Sequence, residues 1–312
     1  MDCLVDHCTD WMKTTLNSAT SRASLAAAMS LVLTWNAPSP ASDRTTIGAR
    51  AAALGGAYVA LAEDGYAVRW NPAGLARLRQ HEINSMHTDL FGTGMTASYL
   101  SYAFPVDERL GLGVDWVDRS FDDDELSFAQ GELGVAAGLR ALPWLAVGAS
   151  GKWHTMDAGL VDTPNPVGFS SKGSGWAMNA GLMAHPWPEL SVGLALQDIT
   201  ATDIEYDNGS SQPFRSREWQ VGAAYRLRPD LLVSGGLDEA RRIGLEYQLR
   251  RSLVVRGGFS RDTDDAQGTA YALGAGVRHR FAVVDYAFTE TPDLGGTHRF
   301  SAGLGFNLSS SV

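Results

Sequence analysis

The chain has 312 residues, 34 of them glycine, with 45% hydrophobic residues and a formal net charge of −10. That charge has the wrong sign for a nucleic-acid binder, which needs a basic face. No run of 18 or more apolar residues follows residue 40, so transmembrane helices are excluded as the organising element, whereas short alternating transmembrane strands are not.

Residues 1–41 read as a secretory signal whose true start is Met12. Lys13 and Arg22 supply a basic region, "SLAAAMSLVLTW" (24–35) an apolar one, and "SPA" (39–41) the small residues before a cut after Ala41. Asp2, Asp6 and Asp10 fit poorly ahead of such a signal. Both cysteines, Cys3 and Cys8, precede the cut, so the mature chain has no thiol chemistry.

Residues 42–78 form a first mature region. Ile47, Ala51, Leu54, Tyr58 and Leu61 recur at 4-3-4-3 spacing, a helical stripe. Gly55 and Gly56 break it into short pieces, and "EDG" (63–65) stops it. In "NPAG" (71–74), Pro72 forces Asn71 out of helical conformation. Ala73 and Gly74 complete a corner at which Gly74 can turn freely.

From residue 79 to 312 the period changes to two. In "ELSVGLALQ" (189–197), Leu190, Val192, Leu194 and Leu196 share one face and Ser191, Gly193, Ala195 and Gln197 the other. Fourteen such segments are predicted: 81–90, 95–105, 109–119, 126–141, 144–157, 173–185, 189–200, 217–228, 230–238, 241–249, 252–261, 268–279, 281–290 and 297–308. Most reach the roughly 9–11 residues a tilted strand needs to cross a bilayer. Tight connections (105–108, 142–144, 185–189, 228–230, 250–252, 279–281) alternate with longer polar ones (121–125, 158–173, 201–215, 262–268, 291–296). Short periplasmic turns opposite longer outer loops are the sign of an outer-membrane barrel. The expected fold is all-β: a closed antiparallel transmembrane β-barrel of about 14 strands with a short N-terminal helical plug.

The faces opposite the apolar ones carry glycines and charges of both signs. Asp115, Arg226, Arg242, Glu246, Arg256, Arg278, Asp285 and Arg299 are the candidate luminal polar groups, and Glu132 shares their pattern. Trp144 and Trp187 at tight turns, with Trp153 and Trp176 near a long loop, suit aromatic girdles at two interfaces.

Catalytic chemistry finds no footing. "GASGK" (148–152) has neither a nucleophile-elbow nor a phosphate-loop spacing. His81 and His87 suggest no third metal ligand, and the acids at 122–125 and 262–265 read as solvated loops. No enzyme activity, metal or cofactor is expected.

The combination "ARAAALGGAYVALAEDGYAVRWNPAGLARL" (49–78) resembles the N-terminal signature of the PorV/PorQ family, a branch of the FadL-like outer-membrane barrels. The matching positions are Gly55, Gly56 and Tyr58, then Glu63–Gly65, then Asn71, Pro72, Ala73 and Gly74. The final segment "HRFSAGLGFNL" (298–308) resembles the terminal assembly signal of bacterial outer-membrane proteins, though it ends in Leu308 and trails "SSSV". The resemblance implies a multi-pass location in the bacterial outer membrane, with outer-membrane lipid and the barrel assembly machinery as partners. It leaves three roles open: a plugged barrel that binds or passes hydrophobic small molecules, a component of type IX secretion that docks secreted cargo proteins through 159–169, and a sealed structural barrel.

Overall fold

The computed structural model describes residues 46–122, 126–160, 170–200, 202–207, 211–215, 217–263, 268–291 and 295–307. The expected signal segment, the core of the expected docking loop (161–169) and Leu308 lie outside them.

The wall runs β1 (His81–Leu90), β2 (Met95–Pro105), β3 (Leu110–Asp122), β4 (Leu126–Leu142), β5 (Leu145–Leu160), β6 (Ser170–Trp187) and β7 (Leu190–Gln197). It resumes, after the hairpin β8 (Thr202–Tyr206) and β9 (Ser211–Arg215), with β10 (Glu218–Arg228), β11 (Leu231–Leu237), β12 (Ala240–Arg250) and β13 (Leu253–Asp262). It ends with β14 (Thr269–His279), β15 (Ala282–Thr291) and β16 (Gly295–Phe306). Each wall strand pairs antiparallel with the next, β7 with β10, and β1 with β16, for example Ser85 opposite Ala302. The result is a closed fourteen-strand barrel, as the alternation predicts. Closure is forced physically, because an unpaired strand edge has no hydrogen-bond partner in hydrocarbon.

Parity sorts the two faces. On β4, Glu132 and Ala136 are buried while Leu133, Val135 and Leu139 are exposed; on β14, Ala272 is buried while Leu273 and Val277 are exposed. Exposed Ile83, Leu100, Trp116, Trp176, Leu182, Leu245, Val284 and Phe300 continue the outer belt around the wall. An apolar belt that wide on a closed barrel is the architecture of a multi-pass outer-membrane protein. The Trp153 and Trp176 rings meet edge-on at 4.4 Å on this outer face.

The loop pattern differs from expectation in two places. The outer connections 91–94 and 238–239 are short, so that rim is uneven. It stands tall where β4, β5 and β6 run 17, 16 and 18 residues, and low where β7 and β11 have 8 and 7. The stretch 201–215, read as a polar loop, holds the β8–β9 hairpin. It extends the overhang of β6 by pairing Gly173 with Tyr206 and Ser174 with Glu205.

Candidate functional site

Residues 46–78 fold as short pieces: α1 (Ala49–Ala53), a run of turns, α2 (Ala67–Trp70) and a 3-10 helix over Pro72–Arg77. The helical stripe does not make one rod. Gly55 and Gly56 take φ of 63° and 79°, a left-handed conformation open to glycine, and end α1 after five residues. Even so, Ile47, Ala51, Leu54 and Tyr58 meet in one buried cluster, with Leu61 packed against it.

This segment lies inside the wall, and glycine tracks receive it. Gly111, Gly138, Gly148 and Gly181 are successive cross-strand partners on β3, β4, β5 and β6. The 3-10 helix and Asn71 lie along that track: a Cβ on Gly148 would fall 2.3 Å from the Ala73 nitrogen, and one on Gly181 2.1 Å from the Asn71 Oδ1. Gly193, Gly222 and Gly236 form a second track on β7, β10 and β11 beneath Ala57–Ala60. Gly244 and Gly258, partners on β12 and β13, receive Leu54 and Gly55. At every one of these glycines except Gly236, where the nearest atom would be 3.7 Å away, a Cβ would fall within 3.0 Å of another atom, so the wall is shaped to the segment.

Each residue of the Asn-Pro-Ala-Gly corner has a separate structural task. Asn71 is wholly buried and extended, with φ −159°. Its side-chain amide donates to the Val59 and Leu182 carbonyls, both at 3.0 Å, and its Oδ1 accepts from the Ala73 N–H as the cap of the 3-10 helix. Pro72 occupies the first helical position, where no N–H is needed. Ala73 is fully buried against the first track. A Cβ on Gly74 would lie 1.6 Å from the Ala62 carbonyl oxygen, so nothing larger fits. The track sits near the tight-turn end of the barrel, since Gly111, Gly138 and Gly148 are all close to the turns at 106–109 and 143–144.

Two charge clusters hold the segment. In the first, Arg69 makes a bidentate pair with Asp115, both contacts 2.9 Å, and reaches Glu132 with its remaining nitrogen. Glu132 is also held by Arg119 at 2.6 Å, and His154, wholly buried, stands 3.6 Å from it. Lys152 pairs with Asp198 at 2.9 Å beside this group. In the second, Glu246 accepts from Arg50 at 2.9 Å and from Arg256 at 2.7 Å, and Arg256 also pairs with Asp285 at 2.7 Å. Arg242 is a smaller tie, bonding Asp238 and the Gly55 carbonyl at 3.2 Å.

The acidic step 63–65 is a third anchor. Glu63 pairs with Arg77 at 2.7 Å and with His185 of β6 at 2.8 Å. Burial works against its charge, but the His185 hydrogen bond and charge, with Arg77 and Arg50, hold its pKa below the usual range. Asp64 accepts from the Tyr58 hydroxyl and from the Tyr66 N–H; burial outweighs these and pushes its pKa up. The Gly65 N–H donates to Glu82 of β1 at 2.9 Å.

Of the sequence-predicted polar groups, Glu246, Arg256 and Asp285 are brought together, with Arg278 partly buried near them. Asp115 belongs to the other cluster. Arg299 is buried apart, donating to Thr289 at 3.2 Å. Arg226 is not in the lumen's interior: it is exposed at the end of β10, because the strand's inward face runs out at the turn. Sequence reasoning passed over Arg50 and Arg69, which complete both clusters. The available signal was a lone guanidinium at each end of an otherwise Ala/Gly-rich apolar stretch. No group of residues suited to a metal ion occurs among the described residues.

A closed fourteen-strand wall fitted around its own N-terminal segment defines an outer-membrane barrel of the FadL-like fold. Among solved structures, the Pseudomonas putida toluene transporter TodX matches with a TM-score of 0.63 at 11% identity, covering 85% of this chain and 100% of that one. The CymD monoaromatic hydrocarbon channel matches with 0.63 at 14%, covering 86% and 100%. A Pseudomonas aeruginosa FadL homologue matches with 0.59 at 11%, covering 85% and 99%. No family model and no curated protein matches the sequence.

Proposed function

We propose that this barrel passes small hydrophobic molecules across the outer membrane and that residues 46–78 gate the passage. The observation that carries the reading is the seating of that segment: three glycine tracks, two buried ion clusters and the Asn71 bridge hold it across the lumen of a fold shared with hydrocarbon channels. Its ties to the wall, which are the ion pairs, the Asn71 bridge and the apolar cluster of Ile47, Leu54 and Tyr58, are separate from the wall's own strand pairing, so the segment can shift without unfolding the barrel. We read the 49–78 signature as placing the chain on the PorV/PorQ branch of this fold. No observation favours cargo docking, because residues 161–169 lie outside the described residues. The test is uptake of a monoaromatic probe such as toluene by cells whose outer membrane carries the protein. Uptake above cells without it, raised further when Asn71 is replaced, is the expected result. Uptake equal to the empty control in both cases overturns the reading.

A further inference from the structure

Charge is unevenly distributed over the tight turns. Three of them, 229–230, 251–252 and 280–281, are neighbours along the wall, linking β10 to β11, β12 to β13 and β14 to β15. Arg226, Arg228, Arg250, Arg251, Arg278 and Arg280, with His279, crowd this arc, and Asp230 is the single acid among them. The other turns at the same end carry less: 106–109 holds Asp107 and Glu108 beside Arg109, 143–144 has Arg140 alone three residues before it, and 188–189 holds Glu189. The opposite end is more acidic, with Asp122, Asp203, Glu205, Asp207, Glu239 and Asp262 among its described residues.

Within the arc, Arg228 pairs with Asp230 at 3.2 Å, and both are solvent-exposed. Among the described residues, no carboxylate stands within ion-pair distance of Arg250, Arg251 or Arg280, all three exposed at turn tips. Each tip borders the apolar belt directly. Leu249 precedes Arg250 and is 53% exposed; Phe281 follows Arg280 and is 61% exposed. Guanidinium groups one or two residues beyond lipid-facing side chains are within reach of lipid phosphates. The choice of arginine suits phosphate oxygens, which it can grip with two parallel N–H bonds.

We propose that the β10–β15 arc binds the phosphate head groups of anionic phospholipid in the periplasmic leaflet, chiefly through Arg250, Arg251 and Arg280. This rests on the barrel reading, in which the tight-turn end faces the periplasm. A membrane fits better than an acidic protein because the cations follow the perimeter of the apolar belt. The arc fixes the barrel's depth on one side, the side opposite the tall outer rim of β4–β6.

Detergent-purified full-length protein, titrated with phosphatidylglycerol or phosphatidylcholine and read by native mass spectrometry, tests it. Wild-type protein is expected to retain phosphatidylglycerol preferentially. The triple substitution Arg250→Gln, Arg251→Gln, Arg280→Gln should weaken that retention roughly tenfold or more, each cation near a lipid surface contributing a several-fold factor. The corresponding lysine triple should recover part of it, and Arg109→Gln should leave it unchanged. Heat-modifiable gel migration verifies that each barrel is folded. Equal retention of the two lipids by wild type, or no loss in the glutamine triple, overturns the proposal. So does a photo-crosslinker at Ser252 that captures a polypeptide and no lipid. Binding is read in detergent, so the outcome is independent of any transport assay.

Discussion

The side-chain amide of Asn71 donates to the carbonyl oxygen of Leu182, 111 residues further along the chain, at 3.0 Å. Leu182 lies on β6 with its side chain facing outward and 43% exposed, so the bond joins the luminal corner to the backbone of the wall itself. The same amide reaches Val59, and the corner is thereby tied both to the wall and to the earlier part of its own segment.

Replacing Asn71 should release the corner while the barrel stays closed. Asn71→Ala leaves two buried carbonyls without a donor, at about 1–3 kcal/mol each. Asn71→Asp should be at least as harmful, because it keeps the cap to Ala73 but turns an acceptor toward both carbonyls. Trypsin cleavage after Arg69 and Arg77 measures release. Slower cleavage in the aspartate variant than in the alanine variant would show that the two carbonyl bonds matter less than the cap.

Glycine substitutions separate fit from flexibility. Gly74→Ala places a methyl group 1.6 Å from the Ala62 carbonyl oxygen and should displace the 3-10 helix. Gly151→Ala, on β5 with nothing within 4 Å of the new Cβ, should be tolerated, within about 0.5 kcal/mol. Conductance across planar bilayers should rise for the first and match wild type for the second. An equal response from both would mean that contact with the segment is not what these glycines provide.

The wall is legible in the sequence because each strand has lipid on one side and segment on the other, which prints a period of two. β1 and β2 alternate least clearly, yet their bounds at His81–Leu90 and Met95–Pro105 are the ones expected. The β8–β9 hairpin is not legible. Asp203, Glu205, Asp207 and Pro213 look like loop residues, and its strands exist because β6 overhangs β7. The glycine tracks are hidden for a related reason. Gly111, Gly138, Gly148 and Gly181 are unremarkable along the chain and line up only when register is known.

Arg69 should be costly to remove. Asp115 and Glu132 have 0% and 2% of their side chains exposed. Arg69→Met takes from Asp115 its ion-pair partner, leaving the more distant Lys152, and leaves Glu132 with Arg119 as its remaining arginine, a loss of about 3–5 kcal/mol. Adding Asp115→Asn should restore part of it, and Arg69→Lys should not match wild type because the bidentate geometry is lost. Denaturant midpoints of wild type, Arg69→Met, Asp115→Asn and the double variant give the coupling energy; additive effects would rule out the pair as a unit.

The two faces of the wall should fail differently. Leu273→Arg, at a position 67% exposed on β14, should lower barrel stability in vesicles by about 2–4 kcal/mol if it lies near the midplane. Gly193→Arg faces inward, where even a Cβ would stand 2.4 Å from the Val59 carbonyl oxygen. It should loosen the segment, seen as faster proteolysis, without the lipid penalty. If Gly193→Arg instead lowers the urea midpoint as far as Leu273→Arg while the segment stays protected, the assignment of faces is wrong.

Acid should loosen the segment through Glu63. A carboxylate whose folded pKa is depressed contributes stability that is fully present above its unfolded value, here 4.5, and lost as pH falls through the lower folded value. Asp64 acts in the opposite sense: burial raises its pKa, so the folded form takes up a proton more readily, and its unfavourable contribution fades as pH drops. The two must therefore be separated by substitution. Glu63→Gln removes the charge shared with Arg77, leaving Asp64 in place. Protease release of residues 46–78 should be faster in Glu63→Gln than in wild type at pH 7. The gap should close progressively as pH falls below 4.5 and wild-type Glu63 is itself protonated. A gap of the same size at pH 3.5 and at pH 7 would mean that the Glu63 charge does not hold the segment, and that its contacts with Arg77 and His185 matter only as packing.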